Sequence, residues 1–203
     1  TTIRSFLMQI IGSLFKKKFR KMASWITTHM AQRSGCVKFM VKPMTRSTSD
    51  ISDRLYPEVQ YLDSMFKSYG SKISFSGRIV TIECFEDNSL VEEALKTSGN
   101  GSVLVIDAGG SMNCAILGDK RIADAIQNEW QGIIVNGAIR DSAIINKMSI
   151  GIRALGTFPR KSIKKGVGKN NVIVSFSNVK FIPNQYLYAD EDGVIITKTK
   201  VDL

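Results

Sequence analysis

Two short apolar runs, residues 103–107 (VLVID) and 132–136 (GIIVN), give the clearest structural signal along this chain. Continuous apolar runs of this length are typical of strands that are buried on both faces of a sheet. Between them, residues 119–129 have helical periodicity, and the side chains expected on one face are Ile122, Ala123, Ile126 and Trp130. The alternation of strand and helix predicts an α/β architecture.

Shorter elements surround this centre. Alternation and β-branched residues predict a strand over residues 74–83, and further strands are expected over 115–117, 152–157, 172–176, 179–181 and 194–197. Helices are expected over 49–55, 89–97 and 141–148, the first capped by residues 48–50 and the second by residues 87–89. Residues 59–69 predict a helical turn or a loop, and residues 183–193 (PNQYLYADEDG) predict a connection rich in turn formers. The pattern indicates one α/β domain with mixed sheet layers over residues 47–203.

The net charge of +10 is confined to one end of the chain. Residues 1–46 hold ten Lys and Arg residues and no acidic residue, whereas 18 basic and 18 acidic residues balance over 47–203. The body therefore has no overall attraction for nucleic acid. In this tail, apolar side chains recur at helical spacing before a KKKFRK cluster, and the apolar run is too interrupted to span a bilayer.

Three interpretations of the tail stay open. It is a dispensable extension that is disordered or artefactual, a segment for import into an organelle, or an arm that contacts a membrane surface or nucleic acid. Met22 and Met30 are alternative start sites.

The cysteines and the single histidine exclude several classes of site. Cys36, Cys84 and Cys114 are far apart and odd in number, no C-x-x-C motif is present, and His29 lies in the tail. A structural zinc site, a disulfide framework and a histidine-dependent triad are therefore disfavoured. Reduced thiols favour a cytoplasmic protein, with organellar import as the alternative if the tail is a targeting segment.

The first half of a candidate site is the segment Gly118-Asp119-Lys120-Arg121. Gly118 permits a tight backbone before a helix, and Asp119 is a good N-cap residue. The first N–H groups of a helix have no partner within the helix and, with the helix dipole, can hold a carboxylate or a phosphate. An ordinary capped surface helix is the alternative.

The second half follows twenty residues later, where Arg140 and Asp141 come after an apolar strand and an NGAI turn. Arg can clamp a carboxylate or a keto oxygen through two parallel hydrogen bonds. Adjacent side chains diverge in extended backbone, so Asp141 is not expected to neutralise Arg140. Pairing of Arg140 with another acid is the alternative. Read together, Asp119, Arg140 and Asp141 predict a cleft for a divalent cation and a small keto acid.

Five collinear stretches resemble a known family over nearly the whole body. They are FSGRIVTIECFEDNSLV (75–91), GNGSVLVIDAGGSMNCAILG (99–118), QNEWQGIIVNGAIRD (127–141), SIGIRALGTFPRKSIKKG (149–166) and YLYADEDGVIITKT (186–199). By these stretches the chain resembles the family of regulator of ribonuclease activity A, in its plant-type branch of 4-hydroxy-4-methyl-2-oxoglutarate aldolases. The resemblance implies a swivelling β/β/α domain, a homotrimer or a hexamer of two trimers, and a lyase that releases pyruvate from small keto acids with Mg²⁺ or Mn²⁺.

The resemblance also implies a role for each residue of the candidate site. Asp141 would bind the metal, Arg140 would bind the keto oxygen or carboxylate of the substrate, and Asp119 would orient a water molecule as a catalytic group. The backbone amides of Gly118, Asp119, Lys120 and Arg121 would receive the pyruvyl carboxylate. The implied substrates are 4-hydroxy-4-methyl-2-oxoglutarate and 4-carboxy-4-hydroxy-2-oxoadipate, with decarboxylation of oxaloacetate as a side activity.

One departure and two other functions qualify this expectation. Many family members carry an acid three positions after the aspartate of the Arg-Asp pair, where this chain has Ile144. The loss of that charge predicts weaker metal binding or a changed metal preference. The alternative is a non-catalytic regulator that binds and inhibits an RNA-degrading endonuclease. A methyltransferase, an older assignment for some relatives, is disfavoured because no glycine-rich nucleoside-binding motif is present.

Several other groups favour structural interpretations. Lys161, Lys164 and Lys165 are expected in a solvated loop rather than at a Schiff base, and residues 190–192 indicate a turn rather than a metal cluster. Cys114 is expected to be a buried thiol and Trp130 to lie in the core or at a subunit contact.

Overall fold

Helices and strands alternate through the first half of residues 47–202, the part of the chain that the computed structural model describes. The helices in this range are α1 (Thr48–Leu55), α2 (Ser89–Leu95), α3 (Asp119–Gln127) and α4 (Ser142–Ile145). The strands are β1 (Gln60–Tyr61), β2 (Lys67–Tyr69), β3 (Phe75–Glu83), β4 (Val103–Asp107), β5 (Ala115–Leu117), β6 (Gly132–Ile139), β7 (Gly151–Thr157), β8 (Lys169–Asn170), β9 (Val174–Phe176), β10 (Val179–Phe181), β11 (Tyr186–Ala189) and β12 (Val194–Thr197). The predictions for the tail lie outside the described residues.

One mixed sheet of ten strands organises this part of the chain. Its order is β1-β12-β11-β3-β4-β6-β7-β2, with β5 beside β6 and β8 beside β3. The centre, β3-β4-β6-β7, is parallel, and antiparallel strands flank it on both sides. β9 and β10 form a separate antiparallel pair. The predicted α/β class with a mixed sheet is confirmed.

The sheet curls along β3, the longest strand. Phe75–Arg78 of this strand pair with β11, whereas Ile79–Glu83 pair with β4. Gly77 lies at this transition, and a Cβ there would approach the Gly101 carbonyl oxygen to 2.4 Å. The missing side chain therefore allows the loop before β4 to approach β3 closely.

Alternate residues of β4 face two different cores. Leu104 and Ile106 pack with Ile122 of α3 on the helical side of the sheet. Val103 and Val105 pack on the other side with Phe181 of β10. Because a strand sends successive side chains to opposite faces, a fully apolar run is what a sheet covered on both sides requires. The structure therefore has three layers, with helices α2, α3 and α4 on one side of the sheet and the β9–β10 pair on the other.

The parallel pairing of β5 and β6 positions the candidate site. Both strands run in the same direction, so their carboxyl ends meet at one edge of the sheet. Gly118 follows β5 there and Arg140 follows β6, and the Arg140 amide donates to the Leu117 carbonyl at 2.9 Å. Carboxyl ends of parallel strands are common places for ligand sites in α/β folds.

Several predicted elements were wrong. Residues 59–69 contain β1 and β2 rather than a helical turn or a loop, and residues 183–193 contain β11. The expected NGAI turn is a continuation of β6, which ends at Ile139. The buried face of α3 consists of Ile122 and Ala125, whereas Ala123 and Ile126 are exposed. The helical spacing of apolar residues was compatible with two neighbouring faces of α3. The face that packs against the sheet includes Ala125 instead of Ala123 and Ile126.

Two of the predicted helix caps were also wrong in detail. Ser47 caps α1, and its hydroxyl accepts from the Asp50 amide while the Asp50 carboxylate accepts from the Ser47 amide. At α3 the N-cap is Gly118, and Asp119 is the first helical residue. The two hydrogen bonds between Ser47 and Asp50 at α1 form a capping box, which satisfies two backbone amides at once. Within residues 47–202, no helix is long and apolar enough to span a membrane.

Candidate functional site

A cleft of about 170 Å³ opens beside the first turn of α3. Its lining includes Gly118, Asp119, Lys120, Arg121 and Arg140, which are all the residues predicted for substrate binding. The remaining lining residues are Asn88, Glu92, Ala115, Ile116, Leu117, Lys161, Ser162 and Lys164. The fold therefore brings the two halves of the predicted site together, as the pairing of β5 with β6 requires.

Arg140 and Asp141 pair with each other, contrary to the expectation that their side chains diverge. The Arg140 Nε lies 3.3 Å from the Asp141 Oδ2. The prediction assumed extended backbone, but Asp141 has φ 60° and ψ 31° and is the N-cap of α4. This left-handed conformation, which Asp adopts more readily than most residues, turns the carboxylate back toward Arg140. Both side chains stay about one third exposed, so the ion pair is weak and each residue can exchange its partner for another charged group.

The amides at the start of α3 already have partners within the chain. The Asp119 amide donates to the Asp141 Oδ2 at 3.4 Å, and the Lys120 amide donates to the Asp119 Oδ1 at 2.7 Å. The Arg121 amide donates to the Gly118 carbonyl oxygen at 3.1 Å, so it is used within the first turn. Two of these three amides, those of Asp119 and Lys120, donate to side-chain carboxylates of the protein. The carboxylate of a ligand could take the place of those side chains.

Gly118 is required by the close approach of the Arg-Asp pair. A Cβ at this position would lie 2.6 Å from the Asp141 Oδ2 and 3.2 Å from the Arg140 Nε. The backbone of Gly118 is extended, with φ −140° and ψ 179°, so its conformation alone would admit any residue. The space beside it, rather than its backbone freedom, therefore makes glycine necessary for this arrangement.

Arg121 was expected to contribute to substrate binding, but its side chain is held by two acids. Its Nη1 lies 2.9 Å from the Glu92 Oε1 and 3.1 Å from the Asp124 Oδ2. Glu92 also accepts from Lys164 and from Lys96. Hydrogen bonds from these two lysines, with the nearby Arg121 charge, hold the pKa of Glu92 at about 2. Glu92 is thus an ionised anchor that positions cations at the rim of the cleft.

Lys161, Ser162 and Lys164 also line the cleft, although the sequence indicated only a solvated loop for the lysines. The segment 160–164 is fixed to β5, since the Ala115 amide donates to the Arg160 carbonyl at 2.7 Å and the Ser162 amide donates to the Ala115 carbonyl at 3.2 Å. The loop composition concealed this pairing. No periodicity marks it, so the sequence offered no signal for these cleft residues.

Asp87 holds the next part of the same loop. This carboxylate is 1% exposed and accepts from the amides of Lys165 and Val167 at 2.8 and 3.0 Å. It also accepts from the amide and hydroxyl of Ser89 at the start of α2. Burial raises the pKa of Asp87, but these hydrogen bonds outweigh it and bring the pKa to about 2. The carboxylate therefore ties the loop to α2 and stabilises one side of the cleft.

The carboxylates beside Gly118 fit only a cation that keeps much of its water. Among residues 47–202 no group of three His, Cys, Asp or Glu side chains is placed to hold a metal ion. The Asp141 carboxylate nevertheless lies beside the backbone of Asp119, since its Oδ2 accepts from the Asp119 amide. Mg²⁺ is commonly held by one or two carboxylates and several waters, whereas structural zinc requires four protein ligands. The donor set therefore fits Mg²⁺ or Mn²⁺ and does not fit a closed zinc site.

Ile144 lies in α4, whose N-cap is Asp141. Its amide donates to the Asp141 carbonyl at 3.0 Å in the first turn of α4, and its side chain is 53% exposed. No core packing explains an apolar residue at this position. An acidic side chain at position 144 would be exposed to solvent as well. The replacement of the expected acid by Ile144 therefore changes the charge near Asp141 and not the packing of the fold.

The other candidates have structural roles. Asp190 is buried and accepts from the Thr48 amide and hydroxyl at 2.6 and 2.7 Å, which ties α1 to the β11–β12 turn. Cys114 is buried, as predicted, and burial raises the pKa of its thiol. Trp130 is 6% exposed, and its indole N–H donates to the Thr97 carbonyl at 3.1 Å. Its predicted core location is confirmed.

Comparison with known proteins identifies what the sequence and the fold of this chain resemble. The family model described as RraA-like, Aldolase/RraA, matches residues 26–196. A protein of Dechloromonas aromatica (strain RCB), named "Putative 4-hydroxy-4-methyl-2-oxoglutarate aldolase", is 51% identical over 158 residues, which cover 76% of this chain and 97% of that protein. A protein of Aromatoleum aromaticum (strain DSM 19018 / LMG 30748 / EbN1) with the same name is 47% identical over 158 residues, covering 78% and 99%.

Two solved structures share the fold but differ in their described functions. One is described as S-adenosylmethionine: 2-dimethylmenaquinone methyltransferase from Geobacillus kaustophilus HTA426, with TM-score 0.75, 44% identity and coverage of 77% of this chain and 97% of that one. The other is the RNA-processing inhibitor RraA from Thermus thermophilis, with TM-score 0.75, 39% identity and coverage of 77% and 95%. The resemblance inferred from the sequence is confirmed, and the similarity in fold does not separate an enzyme from a regulator.

Proposed function

From the premise that this chain belongs to the RraA-like (Aldolase/RraA) family, we propose that it is a divalent-metal-dependent lyase that releases pyruvate from small keto acids. The observation that carries the proposal is that Arg140 and the first turn of α3 line one cleft, and that Asp141, which is not itself a lining residue, contacts both Arg140 and the Asp119 amide. The relatives named as putative 4-hydroxy-4-methyl-2-oxoglutarate aldolases support that compound as the substrate. As a second substrate, 4-carboxy-4-hydroxy-2-oxoadipate is proposed on the resemblance alone.

Arg140 and the amides of Asp119 and Lys120 bind the substrate in this proposal. The guanidinium of Arg140 donates to the keto oxygen or to the neighbouring carboxylate, and the two amides donate to that carboxylate. In the structure these donors contact Asp141 and Asp119. An Asp141 carboxylate engaged by a cation no longer competes for Arg140, so metal binding and substrate binding support each other.

Asp141 holds the metal, and Mg²⁺ or Mn²⁺ fits its oxygen ligands best. When bound, the cation supplies a Lewis acid for the negative charge that develops on the keto acid. The Asp119 carboxylate orients a water that removes the proton of the C4 hydroxyl. The C3–C4 bond then breaks and its electron pair stays with C3, which takes up a proton to give one pyruvate. C4 becomes the carbonyl carbon of the second pyruvate. Oxaloacetate develops the same charge on losing CO₂, so its decarboxylation is the expected side activity.

The assembly is proposed on the resemblance. We propose a homotrimer, alone or as a pair of trimers, with the cleft completed at a subunit contact. The cleft of one chain is small, at about 170 Å³, and Asp119, Arg140 and Lys161 are all accessible at its lining. A partner subunit covering it would exclude water and strengthen each charge–charge contact.

A non-catalytic regulator is the second candidate. It is supported by the similarity to the RNA-processing inhibitor RraA from Thermus thermophilis and by Ile144 at the position of the expected acid. Such a protein would bind and inhibit an RNA-degrading endonuclease and would not need Asp141 to be bound to a metal. A third function, that of a methyltransferase, is supported only by the description of one structure.

A pyruvate assay separates the first two functions. The full chain is incubated with 4-hydroxy-4-methyl-2-oxoglutarate or oxaloacetate and Mg²⁺ or Mn²⁺, and pyruvate is followed with and without a chelator. The lyase predicts pyruvate release that the chelator abolishes and that Arg140→Ala reduces. Pyruvate at the non-enzymatic rate with either substrate and either metal would reject the enzyme and favour the regulator.

A further inference from the structure

A groove of about 680 Å³, here called the α2 groove, shares a helix with the cleft but none of its lining residues. It is lined by β3, by α2 and by the loop residues 98–102, 170–171 and 183–184. Glu92 of α2 lines the cleft, whereas Glu93 and Ala94 line the groove. Its volume is within the range of known ligand sites.

The floor of the α2 groove is elongated along β3. Arg78, Val80 and Ile82 line it, and alternate residues of a strand lie on the same face. Ile82 belongs to the core on the helical side of the sheet, and Val80 packs against that core. From Arg78 to Ile82 an extended strand spans about 13 Å. The groove therefore has room for about four residues of an extended chain.

The wall opposite α2 is fixed to β3 by backbone hydrogen bonds. The Asn184 amide donates to the Ile79 carbonyl at 3.0 Å, and the Asn171 amide donates to the Thr81 carbonyl at 2.8 Å. Both asparagines have left-handed backbone, with φ 72° and φ 53°. This wall has its shape before a ligand binds, which lowers the entropic cost of binding.

The polar groups of the α2 groove match those of a peptide backbone. Four of its lining residues are asparagines, namely Asn100, Asn170, Asn171 and Asn184. A primary amide offers both donors and an acceptor, so it can pair with the C=O and the N–H of a peptide group. Asn170 and Asn171 are exposed, so their amides are accessible to a ligand.

The charges of the α2 groove balance each other. Of its lining residues only Arg78 and Glu93 are charged, and neither forms an ion pair within residues 47–202. One charge of each sign attracts neither a polyanion nor a polycation. An acidic and a basic side chain on one short segment would complement the pair.

We propose that the α2 groove binds an extended segment of a partner protein. The segment has an acidic side chain that contacts Arg78 and a basic side chain that contacts Glu93. An apolar side chain between them covers Val80, and the asparagine amides of the wall bind its peptide groups. Because alternate side chains of an extended chain point the same way, these contacts need only a short stretch. The proposal does not depend on the lyase activity, since the groove and the cleft have no lining residue in common.

Selection from random dodecapeptides displayed on phage tests this site. The full chain is immobilised, the enriched peptides are synthesised, and their dissociation constants are measured by fluorescence anisotropy. We expect enriched peptides with an acidic and a basic residue within about four positions. Arg78→Glu should weaken binding about tenfold, because an exposed attraction becomes a repulsion of similar size. Replacing the acidic residue of the peptide by lysine should restore the affinity for this variant.

A second variant and a matched control locate the binding. Asn171→Gly removes one amide side chain while glycine keeps the left-handed backbone, so binding should weaken about fivefold, as for one hydrogen bond. Arg54→Glu makes the same charge change as Arg78→Glu at an exposed residue of α1 outside the groove, and it should bind like the native protein. Thermal melts confirm that each variant is folded.

The other outcomes overturn the proposal. A selection that enriches no peptide, or peptides that bind Arg78→Glu and Asn171→Gly as tightly as the native protein, would reject the groove as a peptide site. An equal loss in Arg78→Glu and Arg54→Glu would show a diffuse effect of charge. A change of molar mass in light scattering of Arg78→Glu would show that a second copy of this chain covers the groove instead. Pyruvate release tests the lyase separately, so either proposal can fail while the other stands.

Discussion

Gly118→Ala is the most specific perturbation of this site, because it adds one methyl group and changes no charge. The new Cβ would lie 2.6 Å from the Asp141 Oδ2 and 3.2 Å from the Arg140 Nε. Reaching ordinary contact at 3.4 Å requires the Asp141 carboxylate to retreat by about 0.8 Å. A displacement of about 1 Å at a reacting centre can lower the rate on the order of 100-fold. We therefore expect kcat/KM for pyruvate release to fall by roughly that factor.

The same substitution should leave the fold almost unchanged. The φ of −140° at Gly118 is ordinary for alanine. Alanine is a poorer N-cap than glycine by several tenths of a kcal/mol, while the lower entropy of the unfolded chain offsets about 0.4–1 kcal/mol. The net change of less than about 1 kcal/mol corresponds to a Tm shift of at most about 2–4 °C.

The assay measures pyruvate release from 4-hydroxy-4-methyl-2-oxoglutarate as a function of substrate and Mg²⁺, beside a thermal melt. Gly156→Ala is the control, because its Cβ would meet only the flexible end of Met112, at 2.9 Å. It should keep the activity of the native protein. A folded Gly118→Ala protein with native kcat/KM and native Mg²⁺ dependence would refute the placement of Asp141 and Arg140 in the site.

Three further predictions test individual residues. Arg140→Ala should lower kcat/KM by about 10²–10³-fold, and Arg140→Lys should recover little because lysine lacks two parallel donors; native activity in either variant would reject the assigned role. Ile144→Glu places an acid at a side chain that is 53% exposed, so it should keep the Tm and lower the Mg²⁺ concentration for half-maximal activity; no change would mean that the missing acid is irrelevant. Asp87 has a pKa of about 2 against 3.8 for an ordinary Asp, so its ionised form stabilises the fold above pH 4, and this contribution is lost between about pH 4 and 2. Asp87→Asn should therefore destabilise the protein by about 2 kcal/mol near neutral pH, with a difference from the native protein that shrinks on acidification in denaturant titrations; a difference independent of pH would contradict this.

The sequence predicted the central strands and the meeting of the two halves of the site. The runs at residues 103–107 and 132–136 are apolar because both faces of β4 and β6 are covered, whereas a strand covered on one face would alternate with polar residues. The short strands β1, β2 and β11 were missed because two to four residues at the flanks of a sheet carry too little periodicity. Their pairing depends on partners distant in the chain.

The fine geometry of the site depended on contacts that spacing does not encode. Asp141 turns toward Arg140 because its backbone is left-handed, and neighbouring residues alone do not dictate that choice. Lys161 and Ser162 reach the cleft because residues 160–162 pair with Ala115, far away in sequence. The sequence therefore predicted which residues of the Asp119, Arg140 and Asp141 set belong together, but neither their ion pairing nor the second wall of the cleft.

The most direct test of the account is the Mg²⁺ dependence of pyruvate release by the native protein and by Asp141→Asn. Asn also adopts left-handed backbone, so the φ of 60° at this position and the fold should be kept while the negative charge is lost. The account predicts saturable, chelator-sensitive release of pyruvate from 4-hydroxy-4-methyl-2-oxoglutarate by the native protein. In a folded Asp141→Asn protein, activity should be reduced by about 10²-fold or more at any Mg²⁺ concentration. Equal Mg²⁺ dependence and equal rates in the two proteins would contradict the assignment of the metal to Asp141.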